Sequence, residues 1–324
     1  MKKILLVSSS SGGHVYPCYI LGEELKKKNY QVTYLGIKGQ YEETILPNAL
    51  LVNIPNSFKK SINFSQLKKI LNEKERIRRI IKEHDVIIAF GGFITTIITL
   101  MNIGINKRLY LHEQNVILGD SIKFSYPFCK KLFLSFNNNL LSKKKAVYTS
   151  NPSINRILHR KDVNITKPKV MFVFGSLSSK TCLIKVKEFI TSTKLDNHFL
   201  VVAGKMIDEF KTIKKANLIV KEKVDMSEEL KNYDLVFSRA GATTLLELIK
   251  SGVEIVLIPS PYVKNHHQEK NAEFFNKQNI VDVINEKDFN QKSIEEKIIS
   301  LKRKNNQNLD IDPIKKIIEE VENG

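Results

Sequence analysis

A histidine ends a run of small residues that directly follows the first apolar segment of the chain. Residues 4–7 are apolar, and four serines, two glycines and His14 come next. Small residues let a backbone turn sharply beside a ligand, and the helix that we expect after Pro17 would offer free N–H groups to an anion. Histidine titrates near neutral pH, so His14 is our first candidate for a general base. A plain strand-to-helix turn is the alternative that the spacing leaves open.

Two more loops of the first half follow apolar segments. The sequence His-Glu-Gln-Asn at 112–115 comes directly after one of them. So many polar groups at a strand end are typical of a site, although a solvated turn is also compatible with them. Glu113 is our second candidate for the base. The sequence Phe-Gly-Gly-Phe at 90–93 would let a third backbone segment approach the same ligand.

The second half of the chain repeats the pattern of an apolar segment, a turn of small residues and a helix. Gly175 and Ser176 follow one segment, where N–H groups at a helix start suit a phosphate. The sequence Ser-Arg-Ala-Gly-Ala-Thr-Thr at 238–244 follows another. Glu247 lies three residues after Thr244, which indicates either a capping box or a carboxylate that binds a vicinal diol such as a ribose.

A polar helix is predicted near residues 264–271. It contains the adjacent histidines His266 and His267, followed by Gln268. Adjacent side chains diverge on a helix, and no His-Glu-x-x-His spacing is present, so we predict no metal site here. Hydrogen bonds to sugar hydroxyls suit His267, Gln268 and Asn271 better.

These loops are positioned by short apolar segments that alternate with helical patterns through both halves. The alternation predicts an α/β fold of two Rossmann-like, doubly wound domains facing a cleft. We place an N-terminal domain at 1–155 and a C-terminal domain at 156–311, because a charged, proline-containing stretch follows Asn151. The final helix, 312–323, opens with Asp312 as its N-cap and Pro313, and we expect it to pack back on the N-terminal domain.

Composition narrows the class of protein. The 324 residues are 42% apolar and 27% charged, which excludes a disordered chain and a collagen-like repeat. The three cysteines form no C-x-x-C pair, so no zinc site or disulfide framework is predicted. The net charge of +18 favours an anionic partner, although an AT-rich genome would also raise the lysine content. The uncharged stretch 86–105 has the length of a membrane span, but its glycines and threonines favour a strand, a turn and a helix.

Together the motifs resemble the MurG family, the N-acetylglucosaminyltransferases of glycosyltransferase family 28 that act in peptidoglycan synthesis. The resemblance spans nearly the whole chain in the family's order, and the Gly-Gly-His and His-Glu-Gln-Asn sequences are its specific parts. The segments that carry it are 11–17, 90–93, 111–115, 151–152, 175–176 and 238–244, with Glu247, His267 and Gln268.

The resemblance implies a GT-B fold, with the nucleotide sugar in the C-terminal domain and the lipid acceptor in the N-terminal domain. Glu247 would bind the ribose, Ser176 a phosphate and the backbone near Val224 the uracil. His267 and Gln268 would bind sugar hydroxyls. The diphosphate and amino sugar would lie at Gly241, Ala242, Thr243, Thr244, Leu245 and Leu246. Ser11, Gly12, Gly13 and Asn115 would complete the sugar and acceptor side.

Some positions depart from the family pattern. An arginine often stands two residues after the Asn-Pro of the linker, where this chain has Ile154, and whether Arg156 replaces it is open. In the Gly-Gly-Ser-Gln-Gly turn of the family, Phe174 replaces the first glycine and Leu-Ser at 177–178 replaces the final Gln-Gly. The contacts of that loop are therefore open.

The activity implied is inverting transfer of N-acetylglucosamine from UDP to the 4-hydroxyl of undecaprenyl-diphospho-N-acetylmuramoyl-pentapeptide. We expect no required cofactor, with any divalent cation non-essential, and no nucleic acid partner. The alternatives are a GT-B transferase for another lipid acceptor, a UDP-N-acetylglucosamine 2-epimerase, or a scaffold that retains the sugar site.

Because the acceptor's lipid lies in the membrane, we expect a peripheral location on the cytoplasmic face of the cell membrane. Residues 58–82 alternate apolar with basic side chains, which is typical of a surface that binds anionic lipid. The alternative is a solvated helix whose apolar stripe faces the core. The apolar members are Phe58, Ile62, Phe64, Leu67, Ile70 and Leu71. The basic members are Lys59, Lys60, Lys68, Lys69, Arg76, Arg78, Arg79 and Lys82.

Overall fold

A computed structural model describes residues 2–9, 12–57, 64–159, 162–175, 179–304 and 309–324. The chain forms two compact units. Unit 1 comprises Met1–Asn155 together with Ile311–Gly324, and unit 2 comprises Arg156–Asp310.

Unit 1 contains a parallel sheet whose strands follow the order β3-β2-β1-β4-β5-β6-β7. The strands are β1 (Lys3–Val7), β2 (Gln31–Ile37), β3 (Leu50–Val52), β4 (Val86–Ala89), β5 (Arg108–Glu113), β6 (Lys131–Leu134) and β7 (Ala146–Tyr148). The helices are α1 (Gly12–Lys27), α2 (Glu42–Ile45), α3 (Phe64–Lys82), α4 (Phe93–Asn102), α5 (Asp120–Ser125) and, from the C-terminus, α12 (Pro313–Glu322).

Unit 2 contains a second parallel sheet, in the order β10-β9-β8-β11-β12-β13. Its strands are β8 (Val170–Val173), β9 (Phe199–Val202), β10 (Leu218–Lys221), β11 (Leu235–Ser238), β12 (Glu254–Leu257) and β13 (Asp282–Val283). Its helices are α6 (Lys180–Ser192), α7 (Ile207–Lys211), α8 (Met226–Glu229), α9 (Ala242–Ser251), α10 (His267–Asn276) and α11 (Gln291–Ile299). The predicted doubly wound α/β architecture is confirmed for each unit.

Helices cover both faces of the sheet in unit 1. Alternate residues of its central strands point to opposite faces, and the residues on both faces are apolar. Ile4 and Leu6 of β1 pack in one core cluster with α1 and α12. Leu5 and Val7 pack on the other face with residues of α3 and α4. A strand buried on both faces reads as the continuous apolar run seen in the sequence.

The C-terminal helix α12 is part of unit 1. Asp312 is its N-cap and accepts a hydrogen bond from the Lys315 N–H at 3.0 Å. Ile314 and Ile317 are buried in the cluster that contains β1 and α1. The Tyr30 hydroxyl donates to Glu322 at 2.7 Å, which fastens the far end of the helix.

One local expectation was wrong, and one strand was not predicted. Helix α1 begins at Gly12 and contains Pro17, instead of beginning after it. A proline removes one helical hydrogen bond, and here the burial of Val15 and Cys18 on either side offsets that loss. Strand β6 was not predicted, since its four residues carry no signal beyond a short apolar run, and its place between β5 and β7 is decided by the sheet.

The uncharged stretch 86–105 forms β4, a glycine turn and α4, as predicted. In the described part of the chain, no helix has both the length and the apolar character needed to cross a bilayer.

The strand orders fix where ligands are expected. In each sheet the order reverses between two neighbouring strands, β1 and β4 in unit 1 and β8 and β11 in unit 2. Ligands of doubly wound sheets bind outside the carboxyl ends of the strands at this switch point. His14, the glycine turn at 90–93, Gly175 and the 238–244 motif follow β1, β4, β8 and β11, respectively.

Candidate active site

His14 lies in the first turn of α1, beside the glycine turn that follows β4. A Cβ atom built on Gly91 would lie 2.7 Å from Cδ2 and 2.9 Å from Nε2 of the His14 ring. Gly91 also has a φ of +98°, which side-chain-bearing residues rarely adopt. Only glycine lets the backbone after β4 come this close to the imidazole. The turn at 90–93 therefore packs directly against the His14 ring.

The second glycine of that turn, Gly92, lies against the loop that follows β1. A Cβ atom on Gly92 would lie 3.0 Å from the Ser9 carbonyl oxygen and collide with its hydroxyl. Ser9 is buried directly after β1. The loops after β1 and β4 are therefore in backbone contact, as the sequence predicts for segments that approach one ligand. The predicted binding residue Ser11 lies outside the described residues, whereas Gly12 and Gly13 open α1.

His112 is a buried neutral imidazole near His14. Burial lowers its pKa to about 4, and although a hydrogen bond with Ser150 raises the pKa, the proximity of His14 lowers it further. Its Nε2 atom lies 3.2 Å from the Ser150 carbonyl oxygen, which only accepts, so Nε2 carries the proton. Its Nδ1 atom accepts from the Gln114 amide at 3.1 Å, and its ring stacks on Phe90 with centroids 4.9 Å apart. His112 thus ties β5 to the turn beside His14.

The Glu113 carboxylate accepts hydrogen bonds from the loop that follows it. One oxygen accepts from the backbone and side-chain N–H groups of Asn115 at 2.9 and 3.2 Å, and the other accepts from the Gly119 N–H at 2.7 Å. The side chain is buried, and burial raises the pKa of Glu113 even though these hydrogen bonds lower it. Such contacts favour a role in holding Asn115 in place over a role as base.

In unit 2, the loop after β8 turns at Gly175, whose φ is +78°. Ser179 is the N-cap of α6 and accepts a hydrogen bond from the Cys182 N–H at 3.5 Å. The predicted phosphate ligand Ser176 lies outside the described residues. Phe174, where the family has glycine, is buried in the core of unit 2.

Helix α9 begins at Gly241, which is its N-cap. Thr244 and Glu247 therefore lie inside the helix and do not form a capping box. The partly exposed residues Gly241, Thr244, Glu247 and Lys250 recur at every third position and define one open face of α9. Nothing lies within 4 Å of a Cβ atom built on Gly241, so this helix start faces open space.

The remaining predicted ligands on α9 divide into two groups. Only the first N–H groups of a helix lack partners inside it, and here they belong to Gly241 and residues 242–244. Leu245 donates its N–H to the Gly241 carbonyl at 2.9 Å, and the side chains of Leu245 and Leu246 are buried. Those two leucines support the helix start from the core. The side chains of Ala242 and Thr243 are buried as well, so these two residues contribute their backbone N–H groups to the helix start.

Helix α10 is fastened beside the start of α9. The Asn271 amide is buried and donates to the Ala240 carbonyl at 3.1 Å, just before α9. The Gln268 side-chain oxygen accepts from the Ser260 N–H at 2.9 Å, which turns the Gln268 amide N–H groups toward other partners. His267 and Gln268 are both half-buried at the start of the helix.

Contacts with the nucleotide base are predicted for the loop that contains Val224. Val224 is half-buried in the loop before α8. Ile154, which occupies the position of the family arginine, is buried and has no polar group to offer. Arg156 pairs with Asp225 at 3.3 Å, one residue after Val224, so its guanidinium lies beside the predicted uracil loop.

Sequence reasoning named no role for Ser260, Arg239 or Glu286, which the structure places around the starts of α6, α9 and α10. Arg239 stands in a recognised motif, but its partners are distant in sequence. Within the described ranges, no group of three or more His, Cys, Asp or Glu side chains is arranged to hold a metal ion.

Two family models together match most of the chain. The N-terminal domain of glycosyltransferase family 28 matches residues 4–134, and the C-terminal domain of the same family matches residues 169–321. A Bacillus cereus protein named UDP-N-acetylglucosamine--N-acetylmuramyl-(pentapeptide) pyrophosphoryl-undecaprenol N-acetylglucosamine transferase 1 is 31% identical over 83% of this chain and 82% of its own length. The chain belongs to glycosyltransferase family 28. The predicted family and the predicted class of enzyme, a glycosyltransferase, are both confirmed.

Further similarities agree with this family 28 assignment. A transferase of the same name, without the final numeral, from Thermoanaerobacter pseudethanolicus is 29% identical over 91% of this chain and 90% of its own length. MurG from Acinetobacter baumannii has a TM-score of 0.75 at 20% identity, covering 93% of this chain and 91% of its own. MnaA of S. aureus, solved with UDP, has a TM-score of 0.70 at 13% identity, covering 100% and 96%. The structural similarities confirm the predicted GT-B fold.

The contact between Gly91 and His14 yields a prediction. Gly91→Ala should reduce the rate of sugar transfer at least about tenfold if His14 is the base, because the new methyl group displaces its imidazole and a displacement of ~1 Å costs on the order of 100-fold. Initial rates measured at saturating substrate test this.

Gly104→Ala is the matched control, since Gly104 has a φ of +80° but nothing within 4 Å of its Cβ position. It imposes similar backbone strain without touching His14, so its rate should stay within about twofold of the parent. Equal losses in the two variants would mean that strain, and not the position of His14, sets the rate.

Proposed function

We propose that this family 28 enzyme transfers N-acetylglucosamine, with inversion, from UDP-N-acetylglucosamine to the 4-hydroxyl of undecaprenyl-diphospho-N-acetylmuramoyl-pentapeptide. The observation that carries the proposal is the match to transferases of this named activity over 90–91% of the chain. The reaction is a step of peptidoglycan synthesis, and it takes place where the lipid acceptor meets the cytoplasm.

His14 is the proposed general base on the acceptor side. It removes the proton of the acceptor hydroxyl while that oxygen attacks the anomeric carbon, and the bond from this carbon to the diphosphate breaks. Its place at the switch point of unit 1, against Gly91, supports this role. The neighbouring His112 stays neutral at neutral pH, since its pKa is about 4, and so places no competing charge beside the imidazolium that forms.

The donor lies in unit 2 in this proposal. The departing UDP carries new negative charge, which the N-terminal ends of α6 and α9 stabilise through their N–H groups and dipoles. Glu247, on the open face of α9, accepts hydrogen bonds from the ribose diol. Gln268 offers its amide N–H groups to sugar hydroxyls, because its oxygen is engaged by Ser260. With the diphosphate held in this way, the proposed reaction requires no cofactor.

A single incubation tests the activity. The enzyme is mixed with UDP-N-acetylglucosamine and a short-chain analogue of the lipid-linked muramoyl-pentapeptide, and products are identified by mass spectrometry. A disaccharide-linked lipid is the expected product. Conversion of the nucleotide sugar without acceptor would indicate the 2-epimerase alternative, and transfer only to a different lipid would indicate another acceptor.

Glu247→Ala should weaken UDP-sugar binding and leave the fold intact, because Glu247 is not part of the helix cap. Loss of a hydrogen bond to a charged group costs about 1.5–3 kcal/mol. Isothermal titration calorimetry gives the affinity and differential scanning calorimetry the melting temperature. Glu295→Ala on α11, also half-buried in unit 2, is the matched control and should leave affinity unchanged. Normal affinity with a lowered melting temperature in Glu247→Ala would assign Glu247 to the fold alone.

His14→Ala should lower the rate about 10²–10⁴-fold while UDP-sugar affinity stays near that of the parent. His14 belongs to unit 1, whereas the proposed nucleotide ligands belong to unit 2, so the two effects separate. The fall in activity at acidic pH that a histidine base causes should be absent from the residual activity. If the variant keeps more than about a tenth of the rate, the role of base passes to Glu113.

We also propose that unit 1 docks on an anionic membrane surface through α3. Phe64, Leu67 and Leu71 form an exposed apolar row on this helix, and Phe64 is 83% exposed. Exposed Lys68 and Lys69 lie beside that row. A basic helix with an exposed apolar row binds anionic lipid through both features.

The structure also corrects the predicted membership of this surface. Ile70 faces the core of unit 1 together with Ile77 and Ile81, so α3 carries a buried and an exposed apolar row. Phe58, Lys59, Lys60 and Ile62 lie outside the described residues. On the neighbouring helix, Leu100 is exposed, as is Ile103 just beyond its end, and the Ile103 carbonyl accepts a hydrogen bond from Arg78 of α3 at 3.4 Å. This contact joins the second half of α3 to the end of α4.

Replacing Lys68 and Lys69 by glutamate should release the protein from anionic vesicles at low salt and spare transfer to a water-soluble acceptor. Each basic residue near an anionic surface contributes about 1 kcal/mol. Vesicle co-sedimentation measures binding. The control is Lys277→Glu with Lys292→Glu, which makes the same change in net charge on exposed positions of unit 2. Equal loss of binding in both double variants would assign the attraction to net charge and not to α3.

A further inference from the structure

A buried ion pair lies at the carboxyl edge of the sheet in unit 2, next to the starts of two helices. Arg239 follows β11 and Glu286 follows β13, and an Arg239 guanidinium nitrogen lies 2.9 Å from a Glu286 carboxylate oxygen. The two side chains are 10% and 11% exposed. Charges removed from water to this degree require close partners, so the pair is a built feature of the fold.

Arg239 links three loops of this edge. It donates to the Ile258 carbonyl at 2.9 Å, at the end of β12, and to the Ser179 hydroxyl at 2.6 Å. Ser179 is the N-cap of α6, and Arg239 itself stands two residues before Gly241, the N-cap of α9. One planar guanidinium therefore joins the starts of both helices, and a lysine cannot reproduce that fork.

Glu286 fastens the same helix from the other side. Its carboxylate accepts from the Thr181 hydroxyl at 2.5 Å, and its backbone carbonyl accepts from the Lys185 ammonium at 2.7 Å, both on α6. Burial raises the pKa of Glu286, but the adjacent Arg239 guanidinium and the hydrogen bond from Thr181 outweigh it and leave the pKa below its ordinary value. The carboxylate is thus charged at neutral pH and balances Arg239.

We propose that Arg239 and Glu286 are positioning residues that hold the starts of α6 and α9 at the separation needed to bind the diphosphate of the donor. The inference rests on the proposed donor site. Arg239 is the cation of the 238–244 motif. However, its charge is balanced by Glu286, and its N–H groups donate to Ser179 and Ile258. The pair acts on the diphosphate through the two helix starts, and the N–H groups there make the contacts.

The direction in which Glu286→Gln changes the affinity for UDP distinguishes a positioning role of Arg239 from direct binding. If Arg239 contacted the diphosphate itself, removing the charge of Glu286 would strengthen its attraction for the anion, and UDP would bind more tightly to Glu286→Gln. If the pair positions the helix starts, the same variant loosens them and UDP binds more weakly.

The experiment measures UDP affinity by calorimetry in the full-length enzyme, with melting temperatures recorded in parallel. Glu286→Gln and Arg239→Lys should each raise the Kd for UDP about tenfold, which corresponds to ~1.4 kcal/mol. Glu286→Asp, which restores the charge, should recover part of the affinity.

Glu254→Gln is the matched control. Glu254 is buried and pairs with Arg303 at 3.0 Å, but it begins β12 and so lies at the opposite edge of the same sheet. This variant should lower the melting temperature and leave the Kd for UDP unchanged. It separates loss of a buried ion pair from loss of helix positioning.

The outcomes are distinct. Weaker UDP binding in Glu286→Gln but not in Glu254→Gln supports the proposal. Unchanged or tighter binding in Glu286→Gln, or equal weakening in both variants, overturns it and leaves the donor site in place. Failure of the parent enzyme to bind UDP would overturn the proposed donor site itself, and the positioning role with it.

Discussion

Each sheet of this enzyme is parallel throughout its described strands, and that arrangement determines where its chemistry can occur. Parallel strands deliver all their following loops to one edge, and ligands of doubly wound sheets bind outside this edge, at the point where the strand order reverses. In unit 1 the loops after β1 and β4 meet at the contact between His14 and Gly91. In unit 2 the loops after β8 and β11 meet through Arg239 and Ser179.

The carboxyl edges of the two sheets satisfy their buried polar groups in different ways. Polar groups that crowd beside a sheet edge must be satisfied, because a buried polar group without a partner costs free energy. In unit 1, His112, Gln114 and the Ser150 carbonyl form one hydrogen-bonded chain, and N–H groups of Asn115 and Gly119 satisfy the buried Glu113 carboxylate. Unit 2 uses opposite charges, Arg239 and Glu286.

The two base candidates of unit 1 are held in different ways. Both oxygens of Glu113 accept hydrogen bonds from N–H groups of the loop that follows it. A carboxylate held in this way keeps Asn115 and Gly119 in place. His14 differs, since it stands in the first turn of a helix at the switch point, where its ring packs against a residue without a side chain.

The sequence by itself determined the fold class, the family and the loops that carry the chemistry. These follow from local information, namely short apolar runs, turns of small residues and the order of a few specific motifs. Even so, the four-residue strand β6 was not predicted from the sequence. Pro17 suggested a helix start, but α1 begins at Gly12 and its buried residues lie on both sides of Pro17. Periodicity reports which faces are apolar, but it does not report how much burial a segment gains.

Only the tertiary structure decided which side chains face each other. Gly91 lies against His14, and Glu286 pairs with Arg239, although long stretches of chain separate the members of each pair. The structure also placed the cap of α9 at Gly241, which removed the capping box that the sequence left open for Glu247. Such contacts depend on strand order and on the packing of distant segments, and the spacing of residues along one chain carries neither.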